Sequence, residues 1–307
     1  MMKCTNRRFV AVAAASLLMF VAVAFNATQE NAYEDFASAK FDNPTVVDNE
    51  WFPLTPGTRY VWEGTTIDDE GNQEPHSVVF TVTDLTKEID GVRTVVCWDR
   101  DYADGELEEA ELVFFAQDNN GNVWHLGQYP EEYDGGEFVA APTWIHGIND
   151  GKAGIMMKAE PKLGAPSYSQ GLSLSTHWTD RGVVYQVGQK ISVPFGSFDD
   201  VLVIQEWDQE EPKARQLKYY ARGVGNVRVG WRAEKDTDQE ILELVKVEQL
   251  SAEELAEARE EALKLEKHAY KISQDVYAQT KPAERNPLTL PPGDQTSYRL
   301  KLGWAVN

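Results

Sequence analysis

The stretch Val95–Phe115, VVCWDRDYADGELEEAELVFF, begins and ends apolar and carries seven carboxylates between. Asp104-Gly105 near its centre is the dipeptide of a two-residue hairpin turn, which needs positive φ at both positions. The β-branched and aromatic residues on either side suit two antiparallel strands. A turn there pairs Ala103 with Glu106, Tyr102 with Leu107, Arg100 with Glu109, Trp98 with Glu111 and Val96 with Val113. A second turn through Asp118–Gly121, with Gln117 opposite Asn122, sets Phe115 against Trp124 and Val113 against Leu126. Directly opposed residues share a face. One face is then Val96, Trp98, Val113, Phe115, Trp124 and Leu126, with Arg100, Glu109 and Glu111 at its end. The other is mixed and holds Val95, Cys97, Asp99, Asp101, Glu108, Leu112, Phe114 and His125. One extra residue in either strand would invalidate this map, because the side-chain period is two.

Working outward, residues 51–250 read as a β domain. About ten short segments are rich in β-branched and aromatic residues and are separated by Gly, Asn or Asp: TRYVWEG, HSVVFTVTD, VRTVVCWDRDY, LVFFAQ, NVWHLG, ISVPF, DVLVIQEW, LKYYARG, VRVGW and EILELVKVEQL. The expected fold is mainly β, an antiparallel sandwich or partly closed barrel. Residues 140–185 have no clean period and read as a long excursion over the sheet. Residues 25–50 form an irregular lead, punctuated further on by Phe52-Pro53 and Pro56-Gly57.

At Ser251 the pattern changes. SAEE is a capping box, in which Ser251 accepts from an early helix N–H and Glu254 reaches back. A helix over 251–280 is expected, with Leu255, Ala258, Ala262, Leu265, Ala269, Ile272 and Val276 forming one stripe. The stripe would pack on the sheet, although pairing with another chain through Leu255–Val276 is the alternative. Residues 281–307 are a Pro-rich linker and a period-two strand, Tyr298–Val306, which would add to its own sheet or to a partner.

The first 24 residues have the pattern of a signal peptide. Lys3, Arg7 and Arg8 precede an apolar run, Phe9–Ala24, that ends in Ala22-Val23-Ala24. Export to the periplasm or beyond is expected, with no stable membrane span after processing. Cys97 would then stand alone, so no intrachain disulfide supports the fold. The formal charge of −21 disfavours nucleic acid and anionic lipid as partners.

Function must come from the hairpin. A carboxylate taken out of water is costly unless paired. Arg100 and Glu109 would pair across strands, which leaves Glu111 without an assigned partner. Trp98, Arg100, Glu109, Glu111 and Trp124 are therefore the candidate ligand-binding residues, lining the mouth of a pocket for a small or apolar ligand. A hairpin extending past the core into water is the simpler alternative. Asp99, Asp101 and Glu108 suggest a hard cation, but metal-ligand spacing is absent and no cofactor is implied. The five histidines are scattered, and no G-x-S-x-G elbow or complete dinucleotide loop occurs. Three readings remain. The first is a non-enzymatic exported ligand-binding protein. The second is an envelope interaction protein acting through the helix and terminal strand. The third is a carboxylate enzyme with Glu109 and Glu111 as acid and base.

NPTVVDNEWFPLTPGTRYVWEG (43–64), AELVFFAQDNNGNVWHLG (110–127), VPFGSFDDVLV (193–203) and KYYARGVGNVRV (218–229) together resemble a family of uncharacterised exported bacterial β-rich proteins. The resemblance implies a β-rich envelope fold and brings no catalytic residues with it.

Overall fold

The computed structural model describes residues 32–67, 71–232 and 240–286. The expected signal segment and the Tyr298–Val306 strand lie outside them. The described residues form one antiparallel sheet of sixteen strands. Five long strands make a first meander: β1 (Thr58–Ile67), β2 (Gln73–Ile89), β3 (Val92–Ala103), β4 (Glu106–Gln117) and β5 (Val123–Asp134). Beside β5 lie β6 (Glu137–Ala140), β7 (Trp144–Ile145) and β8 (Lys152–Met157). Two-residue strands follow, β9 (Tyr168–Ser169) and β10 (Gly171–Leu172). A second meander holds β11 (Arg181–Val193), β12 (Gly196–Trp207), β13 (Gln216–Ala221), β14 (Gly225–Trp231) and β15 (Ile241–Gln249), which returns to pair with β1. The short β16 (Glu284–Arg285) pairs with β2. The ten long strands of the two meanders are the ten that the sequence pattern marks.

The sheet nearly closes into a barrel. Its order runs from β10 through β8, β5 and the two meanders to β11 and β9. Because β9 and β10 are separated only by Gln170, one five-residue segment pairs with both edges of the sheet. Closure hides backbone groups that an open edge would leave unpaired. It also demands close approach of two backbones. A Cβ on Gly154 would lie 2.2 Å from the Gly171 nitrogen and 2.4 Å from the Gln170 carbonyl carbon. The expected irregular excursion over 140–185 is thus corrected: it contains the strands that close the sheet.

The turn at Asp104-Gly105 forms as its sequence dictates, with φ of 46° and 82°. The register beyond it does not follow. A bulge after Tyr102 leaves Glu108 as the extra residue, so Asp101 faces Glu109, Asp99 faces Glu111 and Trp98 faces Leu112. A second irregularity in the β4–β5 pairing sets Phe115 against His125 and Ala116 against Trp124. The two faces of the hairpin are therefore exchanged beyond the bulge. Val95, Cys97, Val113 and Phe115 belong to the core inside the barrel, while Val96, Leu112, Phe114 and Trp124 belong to a second core on its outside.

The outer core is covered by α1 (Ala252–Ile272), whose start carries the expected capping box. The helix buries Ala258, Ala262, Leu265 and Ala269 against the sheet. It ends at Ile272, short of the expected residue 280. The chain turns through Ser273, and Tyr277 folds back beneath the helix, where its hydroxyl donates to Glu266. At one end of the barrel the lead segment forms a plug. Val47 and Leu54 bridge, and Asn49 Nδ2 donates to the carbonyls of Gly121 and Lys158. Phe52 drops between Phe115 and Tyr220, at ring distances of 5.3 and 6.4 Å.

Candidate functional site

Inside the barrel is a cavity of about 300 Å³. Strand alternation selects its lining, since every second residue of each strand points inward. Toward the plug the walls are apolar: Tyr60 and Trp62 from β1, Phe80 from β2, Phe115 from β4 and Tyr220 from β13. Tyr60 and Trp62 stack at 5.6 Å. Toward the far end the lining turns acidic, with Asp99, Asp101, Glu111, Asp180, Glu206 and Glu240.

The register explains this crowding. Asp99 opposite Glu111 and Asp101 opposite Glu109 are two consecutive like-charged pairs on the inner face, an arrangement that destabilises a sheet unless something neutralises it. Two basic side chains answer part of the charge. Lys218 Nζ lies 2.9 Å from Glu206 Oε2. Burial works against the Lys218 ammonium, but Glu206, Glu240 and Asp180 hold its pKa above the ordinary value. His76 bridges Asp101 at 2.5 Å and Glu240 at 3.5 Å. Burial opposes its charge too, and these carboxylates raise it.

The remaining carboxylates hold protons tightly. Burial, then Asp101, pushes Asp99 up to about 7. Burial, then Asp99 and Asp101, pushes Glu109 up to about 8. Glu111 is raised well above the ordinary value by burial and by Glu109 and Asp99. Glu111 is only 9% exposed, and its Oε1 has no hydrogen-bond partner among the described residues. Nearer the plug, His125 is 2% exposed. Its Nδ1 lies 3.2 Å from the Gln170 carbonyl, which can only accept, so the ring proton sits on Nδ1. Burial lowers its pKa to about 4, which keeps the ring neutral, and Nε2 is left as an acceptor without a donor. Among the described residues no group of His, Cys, Asp and Glu is arranged to hold a metal. Cys97 is fully buried, and burial raises its thiol well above the ordinary value, so it is not poised as a nucleophile.

Of the five residues singled out from sequence, Glu109 and Glu111 point inward and Glu111 lines the cavity. Trp98, Arg100 and Trp124 belong to the outer side. The Arg100 guanidinium stacks on Trp98 at 3.9 Å, and Trp124 donates from Nε1 to Asp118 at 2.8 Å within the outer core. The pairing of Arg100 with Glu109 is corrected to Arg100 with Ala110. Asp99 and Asp101 share the inner face with Glu109, whereas Glu108, the expected third member of their set, is the bulge residue. Sequence reading missed the cavity walls at Tyr60, Trp62 and Phe80, whose alternation along two strands was the available signal. The stretches that resemble the bacterial family supply both scaffold and lining: the 49–54 plug and the turns after Val193 and Ala221 on one hand, and Tyr60, Trp62, Glu111, Phe115 and Tyr220 of the cavity on the other.

No protein-family model matches the sequence, and no curated protein matches it. Among the described residues no helix is long and apolar enough to cross a membrane. Solved structures give three likenesses. A candidate exported protein with a YmcC-like fold from Bacteroides fragilis is 15% identical, with 65% of this chain covering 99% of that one at a TM-score of 0.38. A candidate lipoprotein from Parabacteroides distasonis is 14% identical, with coverages of 65% and 99% and a TM-score of 0.30. A β-barrel-like protein of a domain of unknown function from Brucella abortus is 14% identical, with coverages of 63% and 98% and a TM-score of 0.35.

Proposed function

We propose that this is an exported, non-enzymatic protein that holds a small, largely apolar ligand inside its barrel. The carrying observation is the cavity of about 300 Å³ with aromatic walls and a few polar atoms left without partners. That combination is the usual make-up of a small-molecule site. A core meant only for stability would fill such a space, since interiors pack to near-crystalline density. Export is supported by the basic residues before the Phe9–Ala24 run.

Thermal-shift and calorimetric titration with small aromatic probes test the reading. Phe80→Ala, inside the cavity, should weaken binding by about tenfold or more, the worth of one aromatic contact. Trp98→Phe, on the outer side, should leave affinity unchanged. If no probe raises the melting temperature, or if both variants alter affinity alike, the barrel interior is not the site.

A further inference from the structure

We infer that the cavity's ligand carries an amine, whose ammonium is held between Glu111 and Asp99 while its body lies along the Tyr60, Trp62 and Phe80 wall. This rests on the ligand-binding reading above and specifies the chemistry of that same site.

Three observations converge. First, Glu111 Oε1 is buried, faces the cavity and has no donor. An orphaned buried acceptor of this kind asks for a donor from outside the chain. Second, the nearby cation is already committed: Lys218 Nζ lies 2.9 Å from Glu206, and Glu206 Oε1 also accepts from Gln170 at 2.7 Å. Third, Glu111 and Asp99 oppose each other directly across the strand pair, with Asp101 and Glu109 as the next inner pair. An ammonium supplies three donors and the missing positive charge together. A neutral hydroxyl supplies only one donor and no charge. An anionic head would meet this group of carboxylates and be repelled. A divalent ion is disfavoured because no described group has the geometry to ligate one.

Burial first, and then the like charges beside them, hold Asp99 and Glu111 above their ordinary values, so these carboxylates retain protons. Arrival of an ammonium replaces those protons. His125 Nε2, two register steps nearer the plug, is a second orphan acceptor, open to a hydroxyl or N–H along the ligand's body. Among the described residues, Trp178 Nε1 is the one orphan donor in the lining.

The test is a matched set of probes at pH 8: 2-phenylethylamine, 2-phenylethanol and 3-phenylpropionate, titrated by calorimetry into the whole protein. They share the ring and differ in the head. The amine should bind about tenfold or more tightly than the alcohol, as one charge-assisted hydrogen bond implies, and the acid should bind least. Glu111→Gln should remove the amine's advantage while leaving alcohol affinity intact, which also shows that the variant is folded. Asp99→Asn should reduce the advantage in the same way. Alcohol binding equal to that of the amine would overturn the amine assignment and leave the cavity reading standing. So would an amine preference that survives both substitutions. Failure of all three probes to bind would overturn both.

Discussion

On the outer side of β2, Lys87 is fully buried and meets Glu266 at 2.8 Å, the Tyr270 hydroxyl at 3.2 Å and the Lys281 carbonyl at 2.7 Å. Inside the barrel, on β4, Glu111 is nearly as deeply buried and its Oε1 meets nothing. The contrast repeats elsewhere on the sheet. Under the helix, Asp84 Oδ2 accepts from Arg259 and Arg285, and Glu131 accepts from Tyr129, Tyr133 and His268. In the cavity, Lys218 and His76 answer Glu206, Asp101 and Glu240, but Asp99 still faces Glu111. A buried charge with partners fixes one arrangement of the chain, whereas one without partners costs stability and persists only where another use offsets that cost. The outer charges therefore read as structure and the inner ones as function.

The largest effect should come from breaking the outer network. Lys87→Met removes every donor of the ammonium and leaves Glu266 buried with only Tyr277 and the Ala283 nitrogen. A loss of about 3–5 kcal/mol is expected in urea unfolding, as for other broken buried pairs. The double variant Lys87→Met/Glu266→Met should recover most of it, because a packed apolar pair replaces the ion pair. If the single variant costs little, the outer face is not organised by its charges and the contrast fails on that side.

A smaller effect, of opposite sign, should come from within. Asp99 at about 7, Asp180 at about 7 and Glu109 at about 8 all stand above their ordinary values in the folded chain. Between ordinary and folded values the native state holds the extra protons, so raising the pH through that window destabilises it. His125, lowered to about 4, acts oppositely, but only up to its ordinary 6.5. The melting temperature should accordingly fall between pH 6.5 and 8. Glu111→Gln should flatten this fall and raise stability at pH 8 by about 1–3 kcal/mol, because the amide cannot ionise beside Asp99 and Glu109 and each pKa unit is worth about 1.4 kcal/mol. A melting temperature that rises across the window, or destabilisation by Glu111→Gln at pH 8, would show that the inner carboxylates are partnered after all.

The same two faces show what the sequence made legible. The ten long strands follow from clustered β-branched and aromatic residues, and the hairpin follows from Asp104-Gly105, where both residues have positive φ. The bulge at Glu108 has no local signature. It places Trp98 and Arg100 on the outer side while keeping Glu109 and Glu111 together on the inner one. The closing strands were equally hidden, because two residues carry no period. Gly154 against Gly171, and Gly182 against the Tyr168 ring, hint at the close approach there. The helix start was written in Ser251 and Glu254. Its end was not, since Val276 continues the apolar spacing beyond the point where the chain turns and Tyr277 takes over the packing.

The smallest effect concerns how the outer partners are held in register. Arg259, Glu266 and His268 all project from α1, whose first turn is fixed by the reciprocal bonds of Ser251 and Glu254 at 3.2 and 2.8 Å. Ser251→Ala removes one of these at an exposed site and should cost about 1 kcal/mol, as cap losses do. The helix should fray by a turn and no further, because Arg259 is already bound to Asp84 at 2.6 Å beyond it. Amide exchange should therefore quicken at residues 252–256 and stay slow from Ala258 onward. Faster exchange as far as Glu266 would mean that the cap, and not the buried ion pairs, sets the helix on the barrel, and the outer charges would then follow the fold instead of specifying it.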